Sequence, residues 1–178
     1  MDYKLHAMKK ELSREKLDSI LYQLSITPLA SREEMERRNA LNPFHKKRTE
    51  EKGFRFQNVN LVHYDINNKK LNILIHDITG GRTKDIQSIY TVEFSKGDFG
   101  EPHLDTNSRT TLSLVLEKNS IGGDLIIEGK NAELNKPGDY LIYDGAKTMH
   151  SVSKVIKGSR KSLIVFYTKK FKEEKTLY

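Results

Sequence analysis

Three residues in this chain have the types and spacing to converge on one metal ion. The segment EPHLDTNSRTTLSLVLE, 101–117, carries His103 and Asp105 two positions apart, just ahead of an alternating apolar run. In extended backbone, positions i and i+2 point to the same side, so the imidazole and the carboxylate reach a common point while Leu104 faces the opposite layer. The segment MHSVSKVIKGSRKS, 149–162, adds His150, 47 positions after His103, and Arg160, ten positions after His150. A His from so distant a strand closes the triangle only if the sheet folds over itself. Two imidazoles and one carboxylate on one side of a divalent ion leave its remaining positions open. The chain contains no Cys, so thiolate sites and disulfides are excluded, and an all N/O ligand set suits Fe(II).

The elements that must position these residues are mostly strands. From about residue 58 apolar residues alternate. VNLVHYDI and KLNILIHDI read as two strands joined by an Asn67-Asn68 hairpin turn, and IQSIYTVEF, TTLSLVLE, GDLIIEG, GDYLIYDG and RKSLIVFYT follow between Gly-containing turns. Seven or eight short strands with little helix between them predict an antiparallel barrel or a double-sheet jelly roll (a double-stranded β-helix), and the jelly roll folds over itself as the triad requires. Ahead of them the period is helical. Leu12, Leu17, Ile20, Leu21 and Leu24 predict a helix over 9–24, with Ser13 as an alternative cap. Residues 31–40 predict a polar second helix with Ser31 as N-cap and Glu33 and Glu34 in the first turn. The expected fold class is mainly β with N-terminal helices. We expect a single domain over 1–178: helices and a basic loop over 1–56 packing on the sheet, a jelly-roll catalytic core over 57–168 and a basic tail over 169–178. Within the first part, 42–56 reads as a loop or lid, with Phe44, Phe54 and Phe56 as core or loop anchors or as a substrate-facing surface.

Composition bounds the function. Of 178 residues, 36% are hydrophobic and 31% charged, as in a polar globular protein. No apolar run approaches the roughly 20 residues of a membrane span, and the N-terminus lacks the apolar core of a signal peptide, so the expected location is cytoplasmic. The net charge of +7 lies mostly at the ends: residues 1–56 carry 13 Lys+Arg against 9 Asp+Glu, and residues 57–168 carry 14 against 13. That pattern reads as solvated helices and a lysine-bearing tail. An acidic partner such as nucleic acid stays open but is not favoured.

HLD at 103–105, GGDL at 122–125 and HSVSKVIKGSR at 150–160 resemble the Fe(II)/2-oxoglutarate-dependent dioxygenases, and most closely their prolyl-4-hydroxylase-like branch. The resemblance covers residues 85–168. It implies that His103, Asp105 and His150 are the catalytic iron ligands, and that Arg160 binds the 5-carboxylate of 2-oxoglutarate. A guanidinium suits that task because its planar fork pairs a carboxylate through two hydrogen bonds. Ser162, two residues on and so on the same strand face, can add a hydroxyl. The implied cosubstrates are 2-oxoglutarate and O2, the implied products succinate and CO2. The primary substrate would be a prolyl or other protein side chain, or a small amino-acid-like molecule. Demethylation of nucleic acid uses the same chemistry. Halogenating relatives have a small residue where Asp105 stands, so the resemblance implies hydroxylation or demethylation.

One position departs from the family. A Tyr aimed at 2-oxoglutarate is expected nine or ten residues before the HxD motif, where this chain has Phe94. Either Tyr90, on the same face by parity, substitutes or that hydrogen bond is absent; Tyr140 and Tyr143 are less well placed. His76-Asp77 resembles the HD pair of metal phosphohydrolases, a motif that belongs on helices, whereas the local pattern reads as a strand. His6, His45 and His63 read as exposed or structural. A function of a different class stays open, a cupin-like jelly roll that binds a metal or small ligand without oxygenase activity. It would have no use for Arg160.

Overall fold

The structure, a computed structural model, describes residues 9–41, 60–105 and 108–170, with residues 37–41 described by their backbone alone. His6, His45, Phe44, Phe54, Phe56, the loop 42–56 and the tail from 171 onward lie outside the described residues.

Among the described residues, ten strands form two antiparallel sheets. The longest alternating runs become the centre of the larger sheet: β3 (Ile86–Ser95), β5 (Thr110–Lys118) and β10 (Ser159–Tyr167), with β10 between the other two. On one side β5 is followed by β8 (Asp139–Tyr143) and then β1 (Lys10–Glu11); on the other, β3 is followed by β2 (Asn60–Tyr64). The smaller sheet runs in the order β4 (Gly100–His103), β9 (His150–Val152), β6 (Leu125–Ile127) and β7 (Lys130–Asn131). This is the expected mainly-β double-stranded β-helix with N-terminal helices.

The larger sheet is buried on both faces, which is why β5 reads as a nearly continuous buried run. On its outer face Leu112, Leu114, Leu116, Leu163, Val165 and Tyr167 pack against helices: α1 (Arg14–Ile26), through Leu17, Ile20 and Leu24, and α3 (Lys69–Thr79), through Leu71 and Ile75. Between the sheets two smaller clusters form. One gathers Val115, Leu125, Ile127, Leu141 and Tyr143, the other Val92, Phe94 and Val155. Ser31 caps α2 (Arg32–Leu41) through the Glu34 amide, as the sequence predicts, whereas the first helix starts at Arg14 and not at residue 9: the alternative cap Ser13 accepts from the Lys16 amide, and Lys10–Glu11 ahead of it pair as β1 with β8. No helix among the described residues is long and apolar enough to cross a membrane.

The hairpin expected around Asn67-Asn68 is absent. Residues 69–79 form α3, not a strand. Asn68 is its N-cap, accepting from the Leu71 amide at 3.1 Å, and Gly80 ends it in the left-handed conformation at φ 67°. Burial follows a four-residue period, with Leu71 and Ile75 fully buried while Ile73 is 56% exposed. His76-Asp77 therefore sits in the last turns of a helix, where His76 Nδ1 lies 3.0 Å from the Gly81 carbonyl. Among the described residues it joins no cluster of metal-ligating groups.

Candidate metal centre

The pairing of the smaller sheet builds the site. β4 and β9 are antiparallel neighbours whose register sets His103 directly opposite His150, with ring centroids 4.3 Å apart. Asp105 follows just beyond the end of β4, and its amide donates to the Gly145 carbonyl at 2.7 Å. His103 Nε2 lies 3.5 Å from Asp105 Oδ1, and His150 Nε2 lies 3.3 Å from Oδ2. One ligand atom from each of the three residues falls within 4.8 Å of the other two. The structure thus brings together the three residues singled out from the sequence.

Both imidazoles are oriented from behind. His103 Nδ1 lies 2.7 Å from the Glu101 carbonyl, and His150 Nδ1 lies 2.9 Å from the Thr148 carbonyl. A carbonyl only accepts, so in the neutral ring the proton sits on Nδ1 and the Nε2 lone pair faces the common centre. Burial alone would raise the Asp105 carboxyl, but its contacts with His103 and His150 override that and hold it at about 2. Burial pulls His150 down, whereas the contact with Asp105, aided by the Thr148 carbonyl and Glu128, leaves it above its ordinary value. The Thr111 hydroxyl donates to Asp105 Oδ2 at 3.3 Å. Two imidazole nitrogens and an ionised carboxylate at this spacing fit a first-row divalent ion.

A buried cation stands deeper between the sheets. Arg160 on β10, 3% exposed, lies opposite Phe94 of β3 and opposite Lys118 of β5. Its Nη1 donates to the Gly123 carbonyl at 2.6 Å, while its buried Nε has no hydrogen-bond partner. Gly123 needs its missing side chain: at φ 72°, a Cβ there would lie 2.9 Å from Val155 Cγ2. Burial pulls the guanidinium down to about 10, against the pull of Asp124 and Tyr143, so it is charged at neutral pH. Ser162 is buried on the same face, opposite Val92.

Two tyrosines face the same interior. Tyr90 pairs with Ile164 across β3 and β10; its ring is edge-on to Phe166 at 5.5 Å and tilted against His63 at 5.1 Å. Burial and the Asp105 charge raise its phenol well above the ordinary value. Tyr143 stands edge-on to His150 at 5.1 Å; burial, with the charge of Asp105, raises its phenol well above the ordinary value, against the pull of Arg160. Tyr140 belongs to the cluster on the other face of the sheet. In the sequence Gly145 reads only as a turn glycine, and Thr111 and Lys118 carry no motif. Their only signal there is nearness to strand ends, because their partners are distant in the chain.

No family model matches the chain, and no curated protein matches it either. Solved structures do. The viral collagen prolyl hydroxylase of Paramecium bursaria Chlorella virus-1, solved as a 2OG complex, superposes over 93% of this chain and 96% of its own, with a TM-score of 0.58 and 13% identity. A prolyl-4-hydroxylase from Pseudomonas putida superposes over 92% and 93%, with a TM-score of 0.55 and 14% identity. The chain has the fold of the prolyl 4-hydroxylases. A 2OG-Fe(II) oxygenase family oxidoreductase from Burkholderia pseudomallei matches 57% of this chain at 21% identity and a TM-score of 0.43; there the chain spans about half of the other protein's length, 52%. The prolyl-4-hydroxylase-like fold covers more than nine-tenths of the chain, so the structural likeness extends beyond residues 85–168, where the motifs lie.

Proposed function

We propose that the protein is an Fe(II)- and 2-oxoglutarate-dependent hydroxylase. The observation that carries the proposal is the pairing, in one interior, of a two-His, one-carboxylate cluster with a buried arginine whose Nε lacks a partner. A structural arginine at 3% exposure would be expected to have its donors satisfied. An incoming carboxylate supplies the missing acceptor. A cupin-like binding role leaves that donor unexplained.

In this reading His103, Asp105 and His150 hold the iron, and the Glu101 and Thr148 carbonyls fix the two rings. Arg160 pairs with the far carboxylate of 2-oxoglutarate, and Ser162 adds a hydroxyl hydrogen bond. Tyr90 and Tyr143 stay protonated at neutral pH and so serve as donors. Val92, Phe94 and Val155 keep water from the cosubstrate's carbon chain. Held by His103, Asp105 and His150, Fe(II) would supply the oxidising chemistry by which 2-oxoglutarate and O2 give succinate, CO2 and a C–OH in place of a substrate C–H bond. The prolyl hydroxylases that share the fold support a prolyl or other amino-acid-like target carbon.

The test is succinate formation from 2-oxoglutarate under Fe(II) and O2, with a panel of prolyl peptides and free amino acids followed by mass spectrometry for the gain of one oxygen atom. Loss of succinate in His103→Ala and Asp105→Ala is expected. A wild-type protein that neither binds 2-oxoglutarate nor turns it over would sink the proposal.

A further inference from the structure

A bulge in β5 puts a lysine where strand alternation would put a glutamate. Val115 lies opposite Ser162 on the interior face, and alternation would next bring Glu117 inward. The register of β5 against β10 shifts between Lys161 and Ser162, and Lys118 comes to lie directly opposite Arg160. Opposed residues share a face, and a bulge is a device for re-aiming a side chain. Burial agrees: Glu117 is exposed, whereas the Lys118 side chain is 9% exposed.

The ammonium of Lys118 meets three acceptors, Asp124 Oδ1 at 2.9 Å, the Gly122 carbonyl at 3.3 Å and Ser120 Oγ at 3.4 Å. An ammonium has three donors, so none remains for a ligand. Its effect must pass through Asp124. That carboxylate is one residue from Gly123, whose carbonyl holds Arg160 Nη1, and it acts on the guanidinium through space. Released from Lys118, Asp124 would compete for Arg160, because a charged pair outbids a neutral carbonyl.

We propose that Lys118 is a positioning residue that holds the Asp124 carboxylate off Arg160 and so keeps the guanidinium open to a ligand carboxylate; this role rests on the 2-oxoglutarate reading above. The backbone of Asp124 is tied independently, its amide donating to Ser153 Oγ at 2.9 Å and its carbonyl accepting from the Ser153 amide at 2.9 Å. Changing the carboxylate alone therefore leaves the turn in place.

The experiment is calorimetric titration of 2-oxoglutarate into the Mn(II)-loaded, anaerobic protein. Lys118→Met is expected to weaken binding by about tenfold or more, as unbalanced close charge pairs do. Lys118→Met/Asp124→Asn is expected to return to within about threefold of wild type, because the competitor is gone. Asp124→Asn alone should bind at least as tightly as wild type, and Mn(II) affinity should hold in all three. Wild-type binding by Lys118→Met overturns the proposal, and so does a double variant no better than Lys118→Met, the outcome of a merely structural role. If Lys118→Met does not fold, weakened binding by Asp124→Asn overturns it instead. Arg160→Ala is the control for the underlying reading: if it binds like wild type, that reading falls. If Arg160→Ala weakens binding and Lys118→Met does not, only the role of Lys118 falls.

Discussion

Gly145 lies against Asp105 so closely that no side chain fits between them. The Asp105 amide donates to the Gly145 carbonyl at 2.7 Å, and a Cβ on Gly145 would stand 3.0 Å from both Cβ and Oδ2 of Asp105 while colliding with the Thr111 hydroxyl. The carboxylate of the triad is therefore held in place by a loop 40 residues further along the chain, through an absence of side chain.

Gly145→Ala is accordingly expected to displace Asp105 and weaken divalent-metal binding by about tenfold or more, the scale seen when groups supporting a metal ligand are lost. Mn(II) titration by calorimetry reads it. Gly145→Ala binding Mn(II) as tightly as wild type would mean that Asp105 has room to move.

The proposed pairing of the 2-oxoglutarate carboxylate with Arg160 predicts a graded series. Arg160→Ala should cost about 2–5 kcal/mol of 2-oxoglutarate binding, since it leaves a buried carboxylate without its charge partner. Arg160→Lys keeps the charge and loses the fork, so it should fall between. Ser162→Ala should cost about 0.5–1.5 kcal/mol, as one neutral hydrogen bond does. Anaerobic titration of the Fe(II) protein, followed by visible absorption, distinguishes the three.

Metal-free stability should peak in mildly acidic solution as far as the triad contributes. His150 is raised above its unfolded value near 6.5, so its stabilising effect is complete below that pH and is lost as pH rises through the folded pKa. Asp105 is depressed to about 2, so its effect is complete above the unfolded carboxyl value and is lost as pH falls toward 2. Thermal melts of the apo protein across pH 4 to 9 should therefore decline on the alkaline side. Zn(II) or Mn(II) should reverse that limb, because the ion binds neutral imidazole. An apo melting temperature that rises steadily from pH 6 to 9 in wild type, but not in His150→Gln, would contradict the assignment.

Helix α3 gives a stability prediction away from the site. Asn68 accepts from the Leu71 amide and donates to Thr27 Oγ1 at 3.0 Å, so it caps one helix and ties it to the end of another. Asn68→Ala should cost about 1–2 kcal/mol in chemical denaturation, the range for loss of an N-cap. The metal affinity should be unchanged.

Much of the site was legible before folding because it depends on local geometry. The i, i+2 spacing of His103 and Asp105 implies a shared side, and the two do come within 3.5 Å even though the strand ends between them. Arg160 and Ser162 share a strand face for the same reason of parity. The misread segment 69–79 shows the limit. Leu71, Ile73 and Ile75 alternate like a strand, while Leu71 and Ile75 also stand one helical turn apart; a short apolar run supports either period. The Asn68 and Gly80 caps were present in the sequence, but packing against Leu17, Ile20 and Leu24 is what buries two of the three and leaves Ile73 in solvent.

What the sequence by itself determined is which residues have the types to converge on a metal ion and which of them share a strand face, because alternation of side chains is a property of the backbone. What only the tertiary structure decided is how those strands register. The β4–β9 pairing sets His150 opposite His103, and the bulge in β5 turns Lys118 inward beside Arg160. The turn at Gly145 presses on Asp105, and Tyr143 is set edge-on to His150. Register is settled by the packing of both faces of a sheet against partners far away in the chain, so no local window of sequence contains it.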